Sequence, residues 1–157
     1  VFAAAVILNN NINIRGIKDS KKIPFKKRVL LSKYIKKNSI YAIGSASVEE
    51  INKINILNAT IKAMHISISK LETKYYLRLQ VTDRPGVLAQ LATILGNNEI
   101  SISSVIQKDS NSKNKTAELV ILTHIAIEQN IQNALEKLKN IDSIRKINSI
   151  IRVADLE

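Results

Sequence analysis

The chain has 157 residues, a formal net charge of +11 and no cysteine. This length fits one ordinary domain, or one small domain with an appendage. The lack of cysteine excludes disulfides, thiolate metal sites and catalytic cysteine chemistry, and is compatible with a cytoplasmic protein. Aromatic residues make up only 4% and tryptophan is absent, so any core must be aliphatic.

The positive charge is concentrated in the first half of the chain. Residues 1–74 carry 14 Lys/Arg against 4 Asp/Glu, whereas residues 75–157 carry 10 against 9. A basic segment such as Lys21–Lys37 could bind nucleic acid or an anionic surface. A solvated lysine face explains the same composition, so nucleic acid is not the expected partner.

The N-terminal residues show short, weak patterns. Val1–Leu8, VFAAAVIL, is far below the ~20 residues that span a bilayer, and it lacks a basic leader. We therefore expect a buried helix end or a strand there, and no membrane association. Apolar residues between Val29 and Ile35 predict one short helix within Lys18–Lys37.

A capping box predicts a better-defined helix after Ser47. Glu50 follows Ser47 by three residues, the spacing at which the two residues cap each other. The apolar face of this helix would consist of Val48, Ile51 and Ile54. Ile56–Leu71 is predicted to be a connector, with a short strand at Ile66–Ser69. Residues 1–71 together are expected to form a small, mostly helical appendage.

Tyr75–Ile102 has the clearest organisation of the chain. Alternating apolar residues predict a strand: Tyr75, Leu77, Leu79 and Val81. The Asp83-Arg84-Pro85-Gly86 turn then favours a helix, with Asp83 as its N-cap and Pro85 in its first turn. An apolar stripe predicts the body of this helix: Val87, Leu88, Leu91, Ile94 and Leu95. Asn97-Asn98 are predicted to end it in a left-handed turn.

The remaining segments complete a βαββαβ order. Ile100–Gln107 is the second predicted strand, with a bulge at Ser103-Ser104. Lys108–Thr116 is predicted to be a mobile polar loop, and Ala117–His124 a central strand that is apolar on both faces. A second amphipathic helix (Ile127, Ile131, Leu135, Leu138) and a last strand (Ile147, Ile151, Val153) follow. The expected fold is an α+β ferredoxin-like sandwich whose open sheet face and edges invite dimerisation.

The Asp83–Leu88 turn is the strongest candidate site. Unpaired amides at a helix N-terminus favour an anion such as an amino-acid carboxylate, and Gly86 lets a ligand approach the backbone. The alternative is that the turn only connects a strand to a helix. No metal site is expected, because His65 and His124 are far apart in the sequence and no carboxylates cluster beside them.

Tyr75–Ile106 resembles an ACT domain, a small regulatory module that binds amino acids. YYLRLQVTDRPGVLAQLATIL, with SVIQK and AELVILTH, is similar to the version at the C-terminus of homoserine dehydrogenase, over Leu71–Val153. Gly44–Val48 resembles the start of the last helix of the catalytic part of that family, with Gly44 in place of a proline, and Arg15–Ile17 is weakly similar to an earlier segment. The resemblance implies an ACT domain at residues 72–157, preceded by a remnant of the substrate domain at residues 1–71.

The resemblance also implies where a ligand binds. ACT domains place an amino acid between this turn and the start of the second strand of a neighbouring copy. The implied residues are Asp83, Arg84, Pro85, Gly86, Val87 and Leu88, with Asn98, Ile100 and Ser101. Threonine is the expected effector and a homodimer the expected assembly. Glu99 stands where the family commonly has glycine, and its charged side chain is expected to weaken or abolish binding.

Homoserine dehydrogenase interconverts homoserine and aspartate semialdehyde with NAD(P), in threonine and methionine biosynthesis. It uses a glycine-rich nucleotide turn, but the four glycines here are Gly16, Gly44, Gly86 and Gly96, which form no G-x-G-x-x-G. No catalytic or cofactor residue can be assigned. The chain alone is expected to bind no NAD(P) and to be inactive.

Two functions therefore remain open. The first is the amino-acid-sensing C-terminal portion of a homoserine dehydrogenase. The second is a stand-alone ACT module for dimerisation, with a basic arm and no ligand. The small regulatory subunit of acetolactate synthase fits less well, since its ACT unit begins near the N-terminus.

Overall fold

The computed structural model describes residues 1–9, 12, 16–111 and 115–153. These residues form two compact units: unit 1 spans Val1–Leu71, and unit 2 begins at Glu72. Arg15, part of the weak similarity at Arg15–Ile17, lies outside the described residues. No helix among those described is long and apolar enough to cross a membrane.

Unit 1 combines two helices with a pair of antiparallel strands. Its elements are β1 (Phe2–Leu8), α1 (Phe25–Lys37), β2 (Ser39–Ser45) and α2 (Val48–Ser69), with a short 3-10 turn at Ser20–Lys22. β1 and β2 pair from Phe2 opposite Ser45 to Leu8 opposite Ser39. Strand β2 was not predicted. The strand expected in the first residues is confirmed by β1, but it is not buried, since Phe2 is 81% exposed.

Small residues let α2 lie directly on the strand pair. Ala46, Ala59 and Ala63 are buried together. A Cβ added to Gly44 would lie 2.0 Å from the carbonyl oxygen of Ala63 and 2.7 Å from the amide nitrogen of Ser67. The backbone of α2 therefore occupies the space that a side chain at position 44 would need.

Helix α2 confirms one prediction and overturns another. Ser47 Oγ accepts a hydrogen bond from Glu50 N, and Glu50 Oε2 accepts one from Ser47 N, which confirms the capping box. Ile56–Leu71 is not a connector, because the helix continues to Ser69 and includes the strand predicted at Ile66–Ser69. At Asn55 the backbone kinks (φ 66°), and its side chain accepts a hydrogen bond from Asn58 N. Asn55 thus caps a second helical segment.

Unit 2 is one antiparallel sheet covered by two helices. Its elements are β3 (Glu72–Thr82), α3 (Val87–Asn97), β4 (Ile102–Asn111), β5 (Thr116–Thr123), β6 (Ala126–Ile127), α4 (Glu128–Lys139) and β7 (Ile144–Val153). The strands lie in the order β4-β5-β3, with β6 and β7 both paired to β3. This confirms the ferredoxin-like prediction. β5 lies between β4 and β3, as a central strand should.

Strand β4 differs from its prediction at its end. A register shift between Ile102 and Ser104 confirms the predicted bulge. The predicted loop Lys108–Thr116 is wrong for its first residues, because β4 continues through Lys108, opposite Glu118, to Asn111, opposite Thr116. Backbone pairing with β5 extends β4 through residues 108–111, although all four residues are polar.

One aliphatic core joins the sheet to both helices. Leu77, Leu79 and Ile121 of the sheet are at most 1% exposed, as are Leu91 and Leu95 of α3 and Ile131 and Leu138 of α4. These residues recur at strand period on the sheet and at helical spacing on α3 and α4. The opposite face of the sheet carries Tyr76, Arg78 and Val120, which alternate with the core residues of β3 and β5.

Candidate functional site

The turn after β3 is held by the backbone and opens α3 without a side-chain cap. Gly86 is the N-cap of α3, at φ +87°, and no side chain caps the helix. The prediction of Asp83 as N-cap is therefore wrong: the left-handed glycine starts the helix only at Val87, and Pro85 precedes it. Asp83 N donates to Lys115 O at 2.8 Å, which ties the turn to the start of β5.

The first turn of α3 presents backbone donors to solvent. Its first helical hydrogen bond runs from Gln90 N to Gly86 O at 3.0 Å, so the amides of Leu88 and Ala89 have no partner within the helix. A Cβ at Gly86 would meet no atom within 4 Å. Asp83, Arg84, Pro85 and Leu88 are exposed, whereas Val87 is buried in the core. The turn is thus an open, donor-rich surface.

The second predicted segment, Asn98–Ser101, exposes only one of its three predicted ligand residues. Asn98 is buried; its Nδ2 donates to Ile94 O at 2.6 Å, and its Oδ1 accepts from Lys137 Nζ at 2.9 Å. Ile100 is only 3% exposed and lies in the core. Ser101 alone of the three predicted residues is exposed, and its carbonyl oxygen accepts from His124 N at 2.9 Å.

Glu99 occupies a left-handed position at the end of α3. Its φ is +59°, whereas Asn98 has φ −108°, so the left-handed turn lies one residue beyond Asn97-Asn98. Glu99 N donates to Gly96 O at 2.9 Å and Ile100 N donates to Leu95 O at 3.0 Å, the two bonds of a Schellman motif. A glycine would adopt this conformation without steric cost.

The two predicted segments do not meet within one chain. They lie at opposite ends of α3, an 11-residue helix that is about 16 Å long at a rise of ~1.5 Å per residue. The turn and Ser101 could therefore contact the same ligand only if they came from two copies.

Sequence reasoning missed Ser143, which lies behind the turn. Arg84 Nη2 donates to Ser143 Oγ at 3.1 Å, and Ser143 Oγ donates to Gln90 Oε1 at 2.7 Å. Ser143 is 1% exposed, and its carbonyl oxygen accepts from Thr82 N at 2.8 Å. No sequence signal marks this contact, because 59 residues separate Ser143 from Arg84.

A second buried network lies away from the turn, around Glu128. Glu128 Oε2 accepts from Tyr75 Oη at 2.5 Å and from Arg152 Nε at 2.7 Å, and its Oε1 accepts from Gln132 Nε2 at 2.7 Å. Burial, and then the bond to Glu128, raises the pKa of Tyr75. Every partner of the carboxylate is a donor within unit 2, so this network is structural. Among the described residues, no group of three or more His, Asp or Glu could hold a metal ion.

The ACT domain family model matches residues 75–143, which include most of β3, the turn, both helices and the strands between them. Residues 75–143 form an ACT domain. The homoserine dehydrogenase of Methylobacillus glycogenes is 35% identical over 91 residues, which are 58% of this chain and 22% of that protein. The crystal structure of a homoserine dehydrogenase from Thiobacillus denitrificans covers 58% of this chain at 34% identity, with a TM-score of 0.52. The predicted resemblance to the ACT-bearing portion of homoserine dehydrogenase is thus confirmed.

A further similarity was not anticipated from the sequence. The ribonuclease HII of Pelagibacter ubique is 60% identical over 74 residues, which are 47% of this chain. The chain spans about 40% of that ribonuclease and about a fifth of the homoserine dehydrogenases. The origin of residues 1–71 in a dehydrogenase substrate domain stays a prediction.

Proposed function

We propose that the ACT domain binds a small amino acid, with threonine as the first candidate, and that it regulates a homoserine dehydrogenase. The observation that carries this proposal is the open N-terminus of α3. The free amides of Leu88 and Ala89 and the positive end of the helix dipole suit the ligand's carboxylate. Asp83, exposed on the same turn, supplies a negative charge for the ligand's ammonium group.

The proposed site is completed by a second copy of the domain. Two α3 helices packed antiparallel about a two-fold axis would bring the turn of each copy beside Ser101 of the other. An exposed row of small or apolar residues on α3 suits such packing: Leu88, Ala92 and Gly96, spaced four residues apart. Gly96 has open space around its Cα, so a partner helix could approach closely.

Regulation would follow from this arrangement. A ligand held between two copies binds only the paired form, so its binding energy shifts the assembly of the protein that carries the domain. The dehydrogenase reaction and its NAD(P) are proposed for that protein, because this chain has no glycine-rich nucleotide turn. The chain by itself is proposed to have no dehydrogenase activity.

We expect threonine to raise the thermal midpoint of the chain, and Glu99→Gly to increase this shift. A ligand at a hundredfold excess over its dissociation constant stabilises the folded state by about 2.7 kcal/mol, which is several degrees for a domain of this size. Glycine at position 99 removes both the left-handed strain and the side chain beside Ser101. Thermal unfolding of both proteins, with threonine, methionine, isoleucine, serine and lysine, measures the effect.

Asp83→Ala is the matched site variant, since its exposed side chain supports no described hydrogen bond in the fold. It should unfold at the midpoint of the original chain but lose the threonine shift. Equal shifts with all five amino acids, or a full shift in Asp83→Ala, would contradict the proposed site. No shift in either the original chain or Glu99→Gly would favour a module for dimerisation alone.

A second function is proposed for unit 1, which we infer to be the part similar to ribonuclease HII. The 74 similar residues match unit 1 in size, whereas the ACT model lies in unit 2. Helix α1 carries six basic residues and no acidic one: Lys26, Lys27, Arg28, Lys33, Lys36 and Lys37. None of its residues is buried, and none of these cations forms an ion pair with the rest of the described chain. We propose that this helix contacts the phosphates of an RNA-containing nucleic acid.

We expect the chain to bind a fluorescein-labelled RNA–DNA duplex with an affinity that falls steeply with salt. Each phosphate contact contributes close to one unit to the slope of log K against log salt. Lys33→Gln/Lys37→Gln should therefore reduce the slope by about 2. Lys108→Gln/Lys146→Gln, which removes the same charge from unit 2, should leave it unchanged. Equal slopes in both variants would assign the binding to net charge rather than to α1.

A further inference from the structure

Arg84 is held in place by a polar relay, a short series of hydrogen bonds that passes through the buried Ser143. Its Nη2 donates a hydrogen bond to Ser143 Oγ, and Ser143 Oγ in turn donates one to Gln90 Oε1 of α3. Ser143 is itself fixed through its carbonyl oxygen by Thr82 N at the end of β3. The guanidinium therefore has a defined position although the residue is exposed, and its other donors have no partner in the described chain.

A cavity of about 500 Å³ lies beside this guanidinium. Its walls are the end of β3 with the turn that follows it, the end of α4 with the loop that follows it, and the start of β7. Its lining includes three cations, Arg84, Lys139 and Arg145, and one carboxylate, Asp142. The excess of two positive charges is notable because residues 75–157 as a whole carry a balance of only +1.

These charges are not neutralised by the protein. In the described part of the chain, the ion pairs join Lys62 to Glu50, Arg78 to Glu118 and Arg152 to Glu128. None of the four charged residues of the cavity takes part in one. The dipole at the C-terminus of α4 accounts for a lysine at position 139, but it gives no reason for Arg84 and Arg145 to face the same cavity.

We propose that this cavity is a binding site for a phosphate-bearing anion. A dianionic phosphate balances the excess charge, and arginine donors match its oxygen atoms with charge-assisted hydrogen bonds. The pre-positioned Arg84 would contact the anion first, with Lys139 and Arg145 closing around it. The cavity lies beside the proposed amino-acid site and shares Arg84 with the turn that forms it.

Arg84 also belongs to the turn that opens α3, which gives the anion a second consequence. Binding would tighten the relay from Arg84 through Ser143 to Gln90 and restrict the turn on which the amides of Leu88 and Ala89 lie. The phosphate site and the turn would then be linked through one side chain, and occupation of either would change the affinity of the other.

The test is a calorimetric titration of the full chain with pyrophosphate. Chloride keeps the ionic strength constant. Lys139→Gln/Arg145→Gln removes two of the three cations without touching the turn. It should weaken pyrophosphate binding by about tenfold or more, since each charged hydrogen bond is worth at least ~1.4 kcal/mol. Lys108→Gln/Lys146→Gln, with the same loss of charge elsewhere in unit 2, should stay within about twofold of the original chain.

Three ligands distinguish the source of the phosphate. If inorganic phosphate and pyrophosphate bind but AMP does not, the ligand is a free anion. If AMP binds with equal affinity, the ligand is a phosphate ester. Malonate carries two charges but no phosphate, so malonate binding as tight as that of phosphate would overturn the assignment. The site itself is refuted if pyrophosphate does not bind the original chain, or if both double variants lose the same affinity.

Discussion

Gly44→Ala is expected to unfold unit 1 or to destabilise it by more than about 3 kcal/mol. The added methyl would lie 2.0 Å from Ala63 O and 2.7 Å from Ser67 N, both of which are backbone atoms of α2. A rotamer change cannot relieve such a clash, so the helix must move away from β2. Urea unfolding monitored by hydrogen exchange would show lost protection in residues 1–71 and unchanged protection in the core of unit 2.

Gly96→Ala is the matched control for this substitution. Its Cβ would meet no atom within 4 Å, and the residue lies in the last turn of α3. Alanine is favoured over glycine in helices, by up to ~1 kcal/mol in a helix interior, so at concentrations where the chain is monomeric this variant should be as stable as the original chain or slightly more stable. Equal destabilisation by the two alanines would show that α2 does not lie against Gly44 in solution.

Glu128→Ala is expected to destabilise unit 2 by about 2–3 kcal/mol. The carboxylate accepts hydrogen bonds from Tyr75, Arg152 and Gln132, and its loss leaves the buried Tyr75 hydroxyl without that acceptor. Arg152 is half exposed and can be solvated by water, which keeps the cost below that of a fully buried pair. Glu136→Ala, an exposed glutamate on the same helix, should change the free energy of unfolding by less than about 0.5 kcal/mol.

The same network predicts how acid affects unit 2. Burial raises the pKa of Glu128, but hydrogen bonds from Arg152, Tyr75 and Gln132 lower it by more, so its pKa in the folded chain lies below the ordinary value of 4.5. A lowered carboxyl pKa stabilises the fold above the unfolded-state pKa, and this contribution is lost as pH falls through the folded-state pKa. The difference in unfolding free energy between the original chain and Glu128→Gln should therefore shrink from pH 6 to pH 3. A difference that is constant over this range would mean that the pKa of Glu128 is the same in the folded and the unfolded chain, which would contradict the lowered pKa.

Periodicity was sufficient to predict unit 2 because each of its elements has one buried side. Tyr75, Leu77, Leu79 and Val81 alternate toward the core, and the helical stripe at Leu91 and Leu95 covers them. Amphipathic patterns of this kind report the side that faces the core regardless of the partner. The βαββαβ order of these elements then predicted the ferredoxin-like sandwich.

Helix α2 was misread because local patterns conflicted with packing. The alternation of isoleucine and serine at Ile66–Ser69 resembles a strand, but there α2 lies against β2 and buries Ser67. Asn55 resembles a helix stop, yet its left-handed backbone and side-chain cap join two helical segments. The backbones of α2 and β2 are in close contact at Gly44, and such a contact needs no large apolar side chain that could be recognised in the sequence.

The sequence located the turn of the candidate site, but it did not show how the residues around that turn pack. The turn at Gly86 could be located from Asp-Arg-Pro-Gly alone, but which residue begins the helix depended on a backbone angle that the letters do not state. Asn98 and Ile100 were assigned to a ligand by resemblance, whereas the fold uses both in its own interior. Ser143 became visible only when the chain brought the start of β7 behind the turn.

The strand pair of unit 1 has a practical consequence for handling the protein. Its sheet holds two strands among the described residues, and Phe2, Val6 and Leu8 of β1 are exposed. FAAAVIL is uncharged, wholly apolar and free of proline and glycine, which is typical of segments that assemble edge to edge. Shelf life and the highest usable concentration of the purified chain will therefore depend on β1. Val6→Lys should extend both.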